Sequence, residues 1–180
     1  MAQNERICTI MRMNNTDRNT FVKTQITNSI LSLLAEHEFE EISISQITDR
    51  AQVSRNSFYR NYSDKEDILL QYVRRLLVEW NEEFRRQNTD SNASLYGSLF
   101  QHMSDNRDFY LLLRKRSLFH LFLDVLLEQS GPKPEMDNTW AYITAFIAHG
   151  TYGWIEEWVN RGMQESGEAM TEMLTKYGMK

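Results

Sequence analysis

Apolar residues recur at helical spacing along most of the chain, and short polar breaks separate the segments in which they do so. In Thr20–His37 and again in Lys65–Arg86, an apolar residue occurs every three or four positions. Only two prolines and seven glycines occur in the 180 residues, and this scarcity of helix breakers also favours helices. The pattern predicts an all-α fold.

Two short helices are predicted between these long ones. The segment SISQ, residues 43–46, fits a capping box and predicts a helix over Ile44–Ala51. A break follows at residues 52–54, and its Ser54 is a suitable N-cap for a further helix over Arg55–Asn61. This arrangement is typical of a helix-turn-helix, whose second helix enters the major groove of DNA. An ordinary helical hairpin with a polar face is the alternative.

A polar linker, Gln87–Ser94, precedes five further predicted helices. They cover Ser94–Ser104, Arg107–Lys115, Ser117–Gln129, Asp137–Gly162 and Glu168–Tyr177, which brings the total to about nine helices. We therefore expect three regions. They are a flexible N-terminal arm over residues 1–19, a helix-turn-helix DNA-binding domain over 20–64, and a helical dimerisation and effector- or partner-sensing domain over 65–180.

The predicted second helix of the motif has the composition of a DNA-reading helix. Arg55, Asn56 and Ser57 fall in its first turn, where arginine can pair with guanine and asparagine with adenine. Phe58 and Tyr62 are four residues apart, so we expect them to share a buried face. The same segment therefore has residues to anchor the helix and residues to contact base edges.

Other polar residues of this region are candidates for contacts with the DNA backbone, because hydroxyls, cations and helix N-termini bind phosphates. The candidate DNA-binding residues are Ser43, Ile44, Arg50, Ser54, Arg55, Asn56, Ser57, Tyr59, Arg60, Asn61 and Lys65. Residues 43–65 contain four basic and two acidic side chains, a local charge of +2 in a chain whose net charge is −5. Binding to DNA should therefore be local and sensitive to salt.

The sequence SISQITDRAQVSRNSFYRNYSDKEDIL, residues 43–69, resembles the DNA-binding signature of TetR-type transcriptional regulators. It matches that signature at Ser43, Ile44, Ile47, Ala51, Val53, Ser54, Ser57, Phe58, Tyr59, Tyr62, Lys65 and Leu69. Gln52 and Thr48 depart from it, since the family usually has glycine and alanine there. A left-handed glutamine in the turn costs on the order of 1 kcal/mol.

The resemblance implies a homodimer in the cytoplasm that binds double-stranded DNA at a palindromic operator. Its half-sites would lie about 34–36 Å apart or a little more. It also implies a C-terminal domain for dimerisation and effector sensing. The stretch Phe146–Met170 is similar to a C-terminal domain of regulators from Bacillota, among them dihydroxyacetone-kinase operon activators. In one subgroup of these, a protein coactivator takes the place of the small molecule.

The segment Trp140–Met163 is apolar nearly all round at its centre, which is typical of a buried or interfacial helix. Gly150 and Gly153 would let a second helix approach closely. We therefore expect either core packing or a dimer interface here. The tentative interface residues are Gly150, Gly153, Trp154 and Trp158.

Aromatic residues of the C-terminal half are candidates for an effector pocket, because such pockets combine aromatic walls with a few polar groups. The tentative pocket residues are Phe109, Tyr110, Phe119, His120, Phe122, Trp140, Phe146 and His149, with Tyr152 beside them. Taken singly, each is also what a plain core would contain. The four histidines lack the spacing of a metal site and Cys8 is the single cysteine, so we expect neither a metal nor a cofactor.

No apolar run approaches the roughly 20 residues that span a bilayer, and no signal peptide is predicted. A nucleophile–base pair, a glycine-rich phosphate loop and a paired-carboxylate motif are all missing from the sequence, so an enzyme is not expected. The leading prediction is a regulator, most often a repressor, that an effector releases from its operator by moving the helix that starts at Lys65. The alternative is a partner-controlled activator or a nucleoid-type factor without a small-molecule ligand.

Overall fold

A computed structural model describes residues 15–86 and 91–178, and in them the chain is helical with short connections. Their α-helices are α1 (Asn15–Glu36), α2 (Ile44–Ala51), α3 (Arg55–Tyr59), α4 (Lys65–Arg86), α5 (Asn92–Asp105), α6 (Arg107–Lys115), α7 (His120–Ser130), α8 (Asn138–Asn160) and α9 (Gly167–Met173). A 3₁₀ helix, Phe39–Glu41, precedes α2, and a π-helical turn, Leu174–Gly178, follows α9. The predicted all-α fold is confirmed.

The helices form two compact units, and the division between them falls within α4. The first unit ends at Leu69 and the second begins at Leu70. The predicted domain boundary after residue 64 lies just before α4. The first turns of α4 nevertheless belong to the first unit, because Ile68 and Leu69 are fully buried in its core. In the second unit, α9 packs on α5, and α8 packs on α6 and α7.

Capping side chains fix several helix starts. The backbone N–H of Ser43 donates to Oε1 of Gln46 at 2.8 Å and the Ser43 hydroxyl accepts from the Gln46 N–H at 3.3 Å, which confirms the predicted capping box of α2. α5 begins earlier than the predicted Ser94, because Ser91 is its N-cap. α8 starts after Asp137, whose carboxylate accepts two backbone N–H groups of the first turn. These contacts supply acceptors that the first turn of a helix otherwise lacks.

The N-terminal helix is longer than its apolar pattern predicts. Residues 15–19, which were assigned to the flexible arm, belong to α1. They are polar, so apolar periodicity does not reveal them, although Asp17 is favourable in the first turn of a helix. The other arm residues, 1–14, and residues 87–90 of the predicted linker lie outside the described residues.

Backbone conformations with positive φ mark several breaks between helices. Gln52 has φ 56° and ends α2, as the sequence predicted for this left-handed turn. Ser117 has φ 58°, so α7 begins at His120 and not at Ser117. Gly162 has φ 80° and follows α8, which ends at Asn160. Each of these residues turns the chain out of the helical conformation.

Candidate nucleic-acid interface

Helices α2 and α3 form a helix-turn-helix in the first unit. Gln52 closes α2 in the left-handed conformation, and Ser54 opens α3 by accepting the backbone N–H of Ser57 at 3.1 Å. Phe58 is fully buried and Tyr62 nearly so, as their spacing predicted. Their rings pack at a tilt of 50°, with centroids 5.9 Å apart. The apolar face of α3 is therefore fixed to the core of this unit.

The opposite face of α3 presents polar side chains to solvent. Asn56 and Arg60 are exposed, and Tyr59 has 59% of its surface accessible. The Tyr59 ring lies edge-on to the Phe58 ring, with their centroids 5.2 Å apart. Within the described residues, no hydrogen bond engages the side-chain amide of Asn56. These three groups are thus accessible to a DNA duplex.

Other predicted DNA contacts are oriented by bonds within the protein. The guanidinium of Arg55 donates to the hydroxyl of Ser45, which connects the first turn of α3 to α2. The amide of Asn61 donates to the backbone carbonyl of Ser57 at 2.8 Å. Arg55 retains further donors, because a guanidinium carries five N–H groups. The bond therefore positions Arg55 without exhausting its capacity to bind.

Three of the predicted DNA-binding residues, Ser43, Ile44 and Arg50, belong to α2 or its N-cap and not to α3. Arg50 forms an ion pair with Glu36 at the end of α1, at 3.4 Å. Ser43 caps α2, and Ile44 is half-buried in its first turn. Helix N-termini attract phosphates, so the capped start of α2 remains a candidate for a backbone contact.

Lys65 is half-buried, and its ammonium forms hydrogen bonds within the protein, whereas the sequence predicts a phosphate contact for it. Its Nζ donates to the backbone carbonyls of Phe39, Glu40 and Ile42 at 2.5, 3.3 and 2.9 Å. The ammonium also lies over the Phe39 ring, 4.3 Å from its centroid. An ammonium has three donors. All three have protein acceptors here, so Lys65 ties the start of α4 to the 3₁₀ helix.

A polar depression of about 700 Å³ lies between α1 and α3. Arg18 and Asn19 of α1 line one side, and Arg60 and Asn61 line the other with Ser57. Asn19 was absent from the predicted set of DNA-binding residues, because the apolar pattern starts the first helix at residue 20. The two arginines give this depression the charge expected of a surface that binds phosphates.

Two family models match the chain on either side of residues 73–91. Residues 26–72 match the model described as bacterial regulatory proteins, tetR family, and residues 92–179 match a transcriptional regulator C-terminal region of the same class. The chain belongs to the TetR family of transcriptional regulators. The match over residues 26–72 contains all of α2, α3 and the turn between them.

Individual relatives are more distant. An uncharacterized HTH-type transcriptional regulator, YxbF of Bacillus subtilis (strain 168), is 22% identical over 165 residues, which are 83% of this chain and 43% of the relative. This chain thus spans less than half the length of that relative.

Solved structures show similarity at 18% identity. The dihydroxyacetone kinase operon activator DhaS matches 86% of this chain and 92% of its own, with a TM-score of 0.48. A TetR family transcriptional regulator from Chloroflexus aurantiacus J-10-FL matches 93% and 92%, with a TM-score of 0.34. Because both scores are below 0.5, the assignment to the TetR family rests on the sequence models.

In the described part of this TetR-family chain, the residues predicted to line an effector pocket divide between buried and exposed positions. Tyr110, Phe119 and Phe122 are buried and pack with Tyr152 into an aromatic cluster, in which Phe119 stacks on Tyr152 at 5.9 Å. Burial raises the pKa of the Tyr110 hydroxyl above its ordinary range. Phe109 packs edge-on against Tyr72 at 4.7 Å. Tyr110, Phe119 and Phe122 thus belong to the core, which is the alternative that the sequence leaves open for each, while Phe109 and Tyr152 are half-buried beside them.

The other four predicted pocket residues are on the surface. Trp140, Phe146 and His149 are exposed on α8, and His120 is exposed at the start of α7. The sequence does not separate them from core residues, because aromatic composition alone does not show which face of a helix is buried. On α8, side chains three and four positions apart share a face.

The predicted interface residues separate into two environments. Gly150 and Gly153 are exposed, and a Cβ built at either would meet nothing within 4 Å. Trp154 is half-buried beside them. Trp158 is in the core, because its ring packs edge-on against Phe100 at 5.6 Å and its indole N–H donates to a carbonyl beyond α8. Trp158 is therefore not free to form an interface.

The second unit does contain a cavity, of about 180 Å³, that the sequence did not predict. Its wall includes Trp80 of α4, Tyr96 of α5, Phe122 of α7, and Ala148 and Thr151 of α8. Of the predicted pocket residues, Phe122 alone belongs to this wall as the structure describes it. No helix in the described part of the chain is long and apolar enough to cross a bilayer.

Proposed function

We propose that this chain acts in the cytoplasm as a homodimer that binds a palindromic operator and represses transcription until an effector releases it. The observation that carries this proposal is the exposed polar face of α3 on a helix whose other face is anchored in the core. Its family membership makes it a DNA-binding regulator. The cytoplasmic location, the homodimer, the repressor role, the operator symmetry and the release step are the parts that we propose.

The DNA contacts that we propose divide by chemistry. Asn56 and Arg55 lie in the first turn of α3, where side chains reach base edges in the major groove. Tyr59 and Arg60 lie one turn further on, and Arg18 lies across the polar depression. These suit phosphates, because a hydroxyl or a guanidinium binds a phosphate whatever the sequence.

A homodimer is supported by an apolar surface on α8. We name this surface the α8 stripe and define it by Trp140, Ile143, Phe146, Ile147 and Gly150. The four side chains are exposed, Phe146 by 81% and Trp140 by 62%. Exposed apolar patches of this kind mark interaction sites. A second copy of the same stripe, related by two-fold symmetry, would bury it, and such a dimer would carry the two α3 helices that a palindromic operator requires.

Effector control would act through α4. This helix is continuous from Lys65 to Arg86, and it contributes residues to both units. A ligand that binds the second unit and changes the packing of α4 would therefore act on the element that carries the helix-turn-helix. A ligand shifts such an equilibrium only as far as its affinities for the two conformations differ.

The proposal is tested by binding of wild-type and Tyr59→Ala/Arg60→Ala protein to labelled DNA from upstream of its own gene, read by fluorescence anisotropy. We expect the double variant to lose roughly tenfold or more in affinity for every sequence, because phosphate contacts contribute without regard to sequence. Asn160→Ala, an exposed asparagine at the end of α8, is the matched control. Full affinity in the double variant would rule out this face of α3 as the DNA-binding surface.

A further inference from the structure

The cavity of the second unit has an apolar wall. It is about 180 Å³ in volume and lies among α4, α5, α7 and α8. Leu77, Leu95, Leu99, Leu126 and Ile147 provide much of its surface. None of the described residues in its wall is charged. A charged ligand would lose hydration here without gaining an opposite charge, so the cavity suits a neutral molecule.

Most polar groups of the wall already have partners. The indole N–H of Trp80 donates to the hydroxyl of Ser98 at 2.9 Å. The hydroxyls of Tyr96 and Thr151 bond to each other at 3.0 Å. These side chains therefore present rings and methyl groups to the cavity, and their hydrogen-bonding capacity is largely used within the protein.

Gln129 is different. Its Nε2 is buried and has no hydrogen-bond partner among the described residues. Gln129 also belongs to the wall of the cavity. A buried donor without an acceptor is unfavourable by about 1–3 kcal/mol. Such a group is rare in native proteins and calls for a partner that the chain itself does not supply.

We propose that the cavity binds a small neutral molecule with an apolar body and one hydrogen-bond acceptor, a carbonyl or ether oxygen, and that Gln129 donates to this oxygen. This inference rests on the proposed function, for which it names the class of effector. A cavity of ~150 Å³ in another protein accommodates benzene. The ligand is therefore on the scale of a six-membered ring. Ile147 lines the cavity and also belongs to the α8 stripe, which connects the site to the proposed dimer surface.

Two probes of equal shape separate the acceptor from the apolar body: cyclohexanone, which has a carbonyl oxygen, and methylenecyclohexane, which has a CH₂ group in its place. Binding to the full chain without DNA is read from the NMR signal of the Trp80 indole N–H, since Trp80 lines the cavity. We expect both probes to bind the wild type. Gln129→Leu should lower the affinity for the ketone by about three- to tenfold relative to the hydrocarbon, the effect of one hydrogen bond.

Two further variants control this test. Ala148→Leu places a larger side chain in the cavity wall, and we expect it to abolish binding of both probes. Gln101→Leu changes an exposed glutamine whose amide donates to Asp105 at 2.8 Å, and we expect no effect. Gln129→Leu should itself be at least as stable as the wild type, because it removes an unpaired buried donor.

The proposal is overturned if neither probe binds the wild type, if Ala148→Leu leaves binding intact, or if Gln129→Leu leaves the ratio of the two affinities unchanged. These measurements contain no DNA. Loss of the ligand site would therefore leave the DNA-binding proposal standing, whereas absence of specific DNA binding would leave the ligand result intact.

Discussion

At the scale of single residues, Lys65 shows how a family motif can carry a structural role. The sequence marks it as a cation at the start of a helix, where a phosphate contact is a reasonable expectation. In the structure, its three donors converge on the carbonyls of Phe39, Glu40 and Ile42. This carbonyl cluster forms only when the 3₁₀ helix folds, so the local sequence pattern does not predict it.

Replacing Lys65 with methionine should destabilise the protein more than it changes DNA electrostatics. We expect the free energy of unfolding to fall by about 1.5–3 kcal/mol, the range for hydrogen bonds to a charged group. In a salt titration of DNA binding, the slope should stay as in the wild type. Arg60→Met is the matched comparison, and it should reduce the magnitude of the slope by about 0.9 for one lost phosphate contact.

Lys65→Arg separates the two roles, because it keeps the charge but replaces three convergent donors by a planar fork. The structure predicts that it is destabilised as well. If Lys65→Arg is as stable as the wild type while Lys65→Met loses one phosphate contact from the salt slope, then the ammonium binds DNA and the carbonyl clamp is not its main role.

At the scale of elements, the sequence predicts helices well because caps and apolar spacing are local. The capping box at Ser43 and the left-handed turn at Gln52 are both confirmed. Pocket and interface residues were less predictable, because they depend on which face of a helix meets another helix. Trp158 and Phe146 are both aromatic residues of one helix, yet one is in the core and the other is exposed.

The α8 stripe gives a prediction at this scale. Phe146→Glu would place a charge in the centre of the proposed two-fold contact, where two copies would meet and repel. We expect the dissociation constant of the dimer to rise by roughly tenfold or more, because desolvating a charge and opposing like charges both disfavour association. Analytical ultracentrifugation over a dilution series measures this change.

Tyr177→Glu serves as the control for the stripe, since it changes an exposed aromatic residue in the π-helical turn near the end of the chain. An unchanged dimer in both variants would show that α8 does not form the interface. A monomeric wild type would contradict the proposed dimer and its palindromic operator.

At the scale of the whole molecule, a half-buried histidine, His102, couples the stability of the second unit to pH. Nε2 of His102 lies 3.3 Å from the hydroxyl of the buried Tyr110, and its ring lies beside Trp80. Burial lowers the pKa of His102 below its ordinary value, and Asp105 opposes that shift in part. The folded protein therefore takes up a proton at His102 less readily than the unfolded chain does.

The free energy of unfolding should therefore decrease as the pH falls. Above the unfolded pKa of about 6.5 His102 is neutral in both states, and its effect is constant. As pH falls below that value, the unfolded chain binds the proton first, so the free energy of unfolding decreases. Urea denaturation between pH 5 and 7.5 should show this decrease, and His102→Gln should flatten it. His149→Gln, an exposed histidine of α8, should leave it as in the wild type.

Selection from a random-sequence duplex library shows whether two α3 helices read a palindromic DNA sequence through the first turn. We expect one enriched palindrome with half-sites about one helical turn apart or a little more. We also expect Asn56→Ala to select a motif with relaxed preference at one position of each half-site, since asparagine pairs with adenine. Enrichment of no sequence, or an identical motif from Asn56→Ala, would contradict this mode of DNA recognition.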